Sequence, residues 1–240
     1  MDGWPLSLTS TGSIPSAGNS FFLEDGKIFQ IKTDGSAVEF IRFNSDMSLD
    51  TTFGNEGVVT DNDWDTVYSY PRIPILQSDG KILVAGYGYN GTIFQGAIRR
   101  FNSDGALDNS FGSNGIVKIQ VGSVFYTDVS SIAIQLDGKL LVTGTVRTGN
   151  VYSSYISRFN PDGTIDNSFG NDGTVEIDVP GDREFIKKIE VLSDGRILAV
   201  GSADLNSDYK YKPLLIQLNI DGNLDSSFGA DGIVINGDSF

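Results

Sequence analysis

Short apolar runs cut by glycine-bearing polar turns recur along the whole chain. Ile132-Ala133-Ile134 and Leu140-Leu141-Val142 flank Asp137-Gly138, and an Asp-Gly pair between two apolar runs predicts a tight hairpin, because glycine tolerates positive φ. The same turn stands at Asp25-Gly26-Lys27, Asp79-Gly80-Lys81, Asp137-Gly138-Lys139 and Asp194-Gly195-Arg196. We name the flanking runs strands A and B. Strand C is the next apolar run, ending on an Arg-Phe-Asn segment such as Tyr155 to Asn160, and strand D follows a later glycine, as in Gly173 to Val179.

A second marker fixes the period. Arg42-Phe43-Asn44-Ser45-Asp46 leads to Leu49-Asp50-Thr51-Thr52-Phe53-Gly54 and Gly57-Val58-Val59, and related segments surround Phe111, Phe169 and Phe228. Phe53, Phe111, Phe169 and Phe228 lie 58, 58 and 59 residues apart. Four short antiparallel strands at this period make a propeller blade, whereas β-solenoid coils are usually shorter and parallel. The expected fold is all-β, a single β-propeller domain over 1–240 built from four repeats of about 58 residues. The blades are expected near 19–60, 61–118, 119–178 and 179–240. Gly3 precedes Gly57 by 54 residues, as Asp25 precedes Asp79, so Trp4 to Leu8 reads as an extra D-like strand able to pair with the last blade and close the ring.

The pattern Arg-Phe-Asn-x-Asp-Gly-x-Leu-Asp-x-Ser-Phe-Gly, with Asp-Gly-Lys-Ile-Leu-Val earlier in the unit, resembles the delta-60 repeat family, also described as a bacterial β-propeller domain of unknown function. The resemblance covers roughly residues 19–236. It implies architecture, in tandem arrays of large bacterial surface or secreted proteins, and it brings no catalytic residues. Two copies depart from the pattern: Gln217 and Leu218 replace Arg and Phe in the fourth, and Met47 replaces the turn glycine in the first.

Composition narrows the functions. The 240 residues include 29 Gly, 15 Phe and 9 Tyr, which suits an aromatic-rich β protein large enough for a sizeable core. A formal net charge of −14 would repel a phosphate backbone, and Lys187-Lys188 is the one adjacent lysine pair, so nucleic acid is not an expected partner. No apolar window is long enough for membrane insertion, and Met1-Asp2-Gly3-Trp4-Pro5 lacks the basic start of a signal peptide. An extracellular, cell-surface or virion location is favoured. Neither His nor Cys occurs, which removes imidazole bases, thiolates, disulfides and the usual zinc sets. No cofactor and no catalytic residue is expected. Paired acids of a glycosidase kind would have to come from Asp63, Asp65, Asp128, Asp182 or Glu184, which read as solvated loop acids.

The spacing Asn102-x-Asp104-Gly105-x-x-Asp108 is similar to a calcium loop, but arginine stands where the first carboxylate should be. Arg42, Arg100 and Arg158 are therefore expected to bond Asp50, Asp108 and Asp166, an internal cation in place of a metal. With Phe53, Phe111, Phe169 and Phe228 they form the expected structural set.

Function is sought where the copies differ. If the four strands alternate in direction, A–B and C–D connections share one rim and carry the repeated turns. The other rim carries the variable B–C and D–A loops. There lie Tyr87, Tyr89, Phe94, Arg147, Tyr152, Asp208, Tyr209 and Tyr211, with Trp64, Tyr68, Tyr70, Phe125, Tyr126 and Arg183. Tyr, Trp and Arg dominate contact energies, and loops on a rigid scaffold carry recognition. Trp64, Tyr89, Tyr152, Tyr209, Arg147 and Arg183 are the expected binding residues, and Phe94 and Phe125 are assigned to the core. The leading reading is a non-catalytic module recognising a protein or a carbohydrate. The alternatives are a structural part of a larger assembly, such as a phage virion or tail appendage, and a carboxylate-dependent glycan-processing enzyme. Self-association is expected if one chain does not close the ring.

Overall fold

The computed structural model describes residues 19–33, 37–61, 68–89, 91–122, 126–179, 183–206 and 209–235. All the described secondary structure is β-strand, turn or bend. The first repeat gives β1 (Asn19–Phe22), β2 (Ile28–Thr33), β3 (Val38–Phe43) and β4 (Val58–Asp61), paired antiparallel in that order. The second gives β5 (Tyr68–Leu76), β6 (Ile82–Tyr89), β7 (Phe94–Phe101) and β8 (Ile116–Lys118), again antiparallel neighbours. In the third, β9 (Tyr126–Thr127) and β10 (Ser131–Ile134) both pair with β11 (Leu140–Thr148), followed by β12 (Val151–Phe159) and β13 (Thr174–Ile177). The fourth contains β14 (Arg183–Val191), β15 (Ile197–Asp204), β16 (Lys212–Leu218) and β17 (Ile233–Ile235).

Strand A is interrupted in the middle of repeats two, three and four. Register shifts fall between Pro71 and Ile73 and between Ile186 and Lys188, while in repeat three the regular ladder breaks between β9 and β10, where Asp128 and Ser130 still donate their N–H groups to the Thr145 and Thr143 carbonyls at 3.0 and 2.8 Å. A strand-B glycine faces the last two irregularities. A Cβ on Gly144 would lie 2.0 Å from the Asp128 carbonyl, and one on Gly201 would lie 2.0 Å from the Phe185 carbonyl. Glycine inside a strand therefore marks a backbone approach that no side chain could share.

Single parallel bridges join strand C of one repeat to strand A of the next, at Phe94↔Tyr126 and Tyr152↔Arg183, so repeats two to four form one thirteen-stranded sheet. Apolar packing also links neighbours. One core cluster joins repeats one and two around Phe29, Phe40, Phe53 and Phe101. A second joins two and three around Leu83, Phe111 and Leu140, and a third joins three and four around Leu141, Phe169 and Ile216. Trp4 to Leu8 lie outside the described residues, and the outer edge of β16 is taken by β17.

Candidate functional site

The two ends of the strands carry different chemistry. At the Asp-Gly end the first three repeats build the same node. Arg42 Nε donates to Asp50 Oδ2 at 2.7 Å, Arg100 to Asp108 at 2.7 Å and Arg158 to Asp166 at 2.7 Å. The turn lysine joins each pair: Lys27, Lys81 and Lys139 reach the same carboxylates at 2.8, 2.9 and 3.0 Å. The three aspartates are buried. Burial alone would raise their pKa, but hydrogen bonds from the lysine and from Thr52, Ser110 or Ser168, with the arginine charge, hold each well below the usual carboxylate range. Each guanidinium also lies over a buried ring, 4.5 Å from Phe53, 4.4 Å from Phe111 and 4.6 Å from Phe169.

Repeat four redistributes the same parts. Arg196 occupies the lysine position and donates to Asp225 Oδ2 at 3.1 Å, while Gln217 stands where the strand-C arginine would be. The fourth phenylalanine, Phe228, is only half-buried, unlike Phe53, Phe111 and Phe169. It has neither a strand-C guanidinium above it nor a following turn beside it among the described residues.

The opposite end gathers aromatic rings and arginines from the B–C and D–A connections. Arg147, at the end of β11, has its Cζ 5.2 Å from the Tyr152 ring centroid and is fixed by an Nε hydrogen bond to the Gly149 carbonyl at 2.8 Å. Arg183, the first residue of β14, lies 5.6 Å from Tyr152 and 4.4 Å from Tyr209, and its Nη2 donates to the Tyr209 hydroxyl at 3.2 Å. Hydroxyl contacts from Tyr211 and then Tyr209 raise its pKa further, so it is a permanent cation. Phe185 continues the array, 5.8 Å from Tyr152 and 5.9 Å from Tyr211. Tyr209 is 66% exposed and sits at φ +63°, an uncommon conformation for a bulky residue, held by its N–H donating to Asp204 Oδ2 at 2.9 Å.

Arg147, Tyr152, Arg183 and Tyr209 thus form one surface cluster. Tyr89 belongs to a second, between repeats two and three, with its ring 4.8 Å from Phe94, which lies 5.6 Å from Tyr126. Phe94 is half-buried in this rim cluster rather than in the core, because the Phe94↔Tyr126 bridge holds it at the strand end. Trp64, Phe125 and Asp208 lie outside the described residues, as do the acids Asp63, Asp65 and Asp182 and the side chains of Tyr68 and Tyr70.

Glu184 is not solvated. It is 2% exposed, turned inward beside Arg183, and its Oε1 accepts the Ser154 N–H at 3.3 Å. Burial pushes its carboxyl up to about 7, against that hydrogen bond and helped by the Asp178 charge. Strand alternation is the signal that could have found it: Arg183 and Phe185 face the rim array, so Glu184 faces the interior. The same alternation would have added Phe185 to the site.

Three segments, residues 77–111, 135–169 and 192–228, match the model of a family described as a β-propeller domain of unknown function (DUF5122). The first repeat, which carries Met47, lies outside them. No curated protein matches the chain. Among solved structures it is similar to an endo-arabinase from Bacteroides thetaiotaomicron, at 14% identity and TM-score 0.55 over 92% of this chain and 79% of that one. It is also similar to a mannose phosphorylase from Leishmania mexicana, at 14% identity and TM-score 0.45 over 92% and 69%. A third is the β-propeller domain of Nup133 from Vanderwaltozyma polyspora, at 15% identity and TM-score 0.43 over 91% and 56%. At such identities the arabinase speaks to the fold and not to chemistry. The chain is an all-β protein in which three segments are similar to a β-propeller domain of unknown function.

Proposed function

We propose that the chain is an arc of four propeller blades of delta-60 type, near residues 19–60, 61–118, 119–178 and 179–240, which serves as a non-catalytic binding module. Its contact surface is the Arg147–Tyr152–Arg183–Tyr209 cluster, and its ligand is a carbohydrate. One observation carries this reading: two arginines, unpaired with any carboxylate among the described residues, both lie over the ring of one tyrosine in a chain of net charge −14. Every other arginine with a described side chain bonds an aspartate. Tyrosine faces stack on sugar rings, and guanidinium groups add directed donors to hydroxyl or carboxylate oxygens. The strained backbone at Tyr209 supports the reading, since such conformations cluster at ligand clamps.

A glycan array of neutral and acidic oligosaccharides tests it, with the bound glycans then incubated with the protein and assayed for cleavage. Binding without turnover is the expected result. Turnover would move the protein to the carboxylate-dependent enzymes, and an array without signal would remove the carbohydrate reading.

A further inference from the structure

Neighbouring repeats lock together through one contact that occurs three times. The N–H of Gly54 donates to the Asp104 carbonyl of the next repeat at 2.7 Å, that of Gly112 to Asp162 at 2.7 Å, and that of Gly170 to Asp221 at 2.9 Å. The glycine that follows each acceptor is wedged against the donor repeat. A Cβ on Gly105 would lie 2.8 Å from the Gly54 nitrogen and 3.1 Å from the Phe53 ring, and one on Gly163 would lie 2.8 Å from the Gly112 nitrogen and 3.0 Å from Phe111. One on Gly222 would lie 2.9 Å from both the Gly170 nitrogen and the Phe169 ring. The strand-C arginine reinforces the lock, with Arg100 Nη1 donating to the Pro161 carbonyl and Arg158 Nη1 to that of Ile220. Each repeat therefore offers a Phe-Gly socket on one side and an Asn-x-Asp-Gly plug on the other.

The fourth socket keeps its main parts. Gly229 has φ +57°, like Gly54, Gly112 and Gly170 at +59°, +55° and +55°, and Val234 packs on it as Val59 packs on Gly54. Among the described residues no acceptor meets the Gly229 N–H, and Phe228 beside it is only half-buried where Phe53, Phe111 and Phe169 are fully buried. Arg196 keeps a guanidinium at Asp225 although Gln217 has replaced the strand-C arginine. The first plug is blunted instead. Met47 adopts the same left-handed conformation, φ +71°, as the three plug glycines, but it brings a Cβ into a contact that has no room for one.

We propose that the Phe228–Gly229 face is a docking socket for the Asn-x-Asp-Gly turn of a further repeat unit, and that Met47 bars this chain's own first repeat from it. The surface continues an interface already formed three times within the molecule, and the glycine wedge specifies the occupant. A head-to-tail contact of this kind makes rings when it closes and filaments when it does not. Met47 is the device that prevents both between identical chains. The inference does not depend on what the aromatic rim binds.

Two full-length variants at one position test it. Met47→Gly removes the Cβ, whereas Met47→Asn tolerates the left-handed conformation but keeps it. In sedimentation velocity over a concentration series, wild type and Met47→Asn should keep one mass. Met47→Gly should either gain mass toward dimers and longer species or, if the contact forms within one chain, melt several degrees above Met47→Asn. Adding Phe228→Ala to Met47→Gly should cancel the gain. Equal mass and equal melting of the two position-47 variants would overturn the proposal, as would a gain that survives Phe228→Ala.

Discussion

Removing one carboxylate from an internal node should cost far more than removing its counterpart in repeat four. Asp108 receives Arg100 Nε at 2.7 Å, Lys81 Nζ at 2.9 Å, and the Ser110 hydroxyl and N–H at 2.6 and 3.1 Å. Asp108→Ala strands a guanidinium whose side chain is 7% exposed, while Lys81, at 28%, can turn to solvent. Arg100 keeps the Pro161 carbonyl and the face of Phe111, so the loss falls at the lower end of the range for breaking a buried pair, about 3 kcal/mol. For a chain of this size that corresponds to a melting temperature lower by roughly 6–12 °C. Asp108→Asn keeps an acceptor for Ser110 and removes only the charge, so it should recover part of the loss, about 1 kcal/mol. Asp225→Ala is the internal control, because its partner Arg196 is 41% exposed and readily solvated; its loss should be clearly smaller. Urea and thermal denaturation of the three variants read the comparison. If Asp108→Ala costs under about 1 kcal/mol, or no more than Asp225→Ala, burial is not what gives the node its strength.

Two further outcomes follow from the same carboxylates. Glu184 has its carboxyl pushed from an ordinary 4.5 up to about 7, so the folded state binds the extra proton between those values. Its stability contribution is present below the ordinary value, falls as pH rises toward 7 and is flat above it. Glu184→Gln should remove that slope and stabilise the protein at pH 8 by about 2–3 kcal/mol, seen as a melting-temperature difference between wild type and variant that vanishes near pH 4. Asp50, Asp108 and Asp166 already hold two cations and a hydroxyl each, so millimolar calcium or a chelator should leave the melting temperature unchanged; a strong rise with calcium would show that a metal displaces the arginines.

What recurs in the sequence is what it made legible. The Asp-Gly turns, the phenylalanine period and the eight-residue interval from Arg42 to Asp50 repeat, so independent copies point to the same local geometry. Features unique to one copy were harder to read. Glu184 looked like a loop acid because β14 begins one residue earlier, at Arg183, and strand alternation turns it inward. Phe94 looked like core because an aromatic residue opening an apolar strand usually is; its place is set by the bridge to Tyr126, which no local pattern encodes. The exchange of a strand-C arginine for Gln217 reads in the sequence as a departure from the repeat, yet Arg196, from the A–B turn, places a guanidinium at Asp225. Met47 acquired a meaning only when the space around Gly105, Gly163 and Gly222 could be seen.

In the proposed function binding belongs to one rim and architecture to the other, and a comparison of rims tests that division most directly. Arg183→Ala with Tyr209→Ala alters the aromatic rim, and Asp79→Ala with Asp137→Ala alters exposed turn positions on the opposite rim. When the strongest array glycan is titrated into wild type and both double variants, binding should weaken more than tenfold, about 1.4 kcal/mol or more, for the first pair and keep the wild-type affinity for the second. Unchanged affinity for the first pair, or a loss confined to the second, would contradict it.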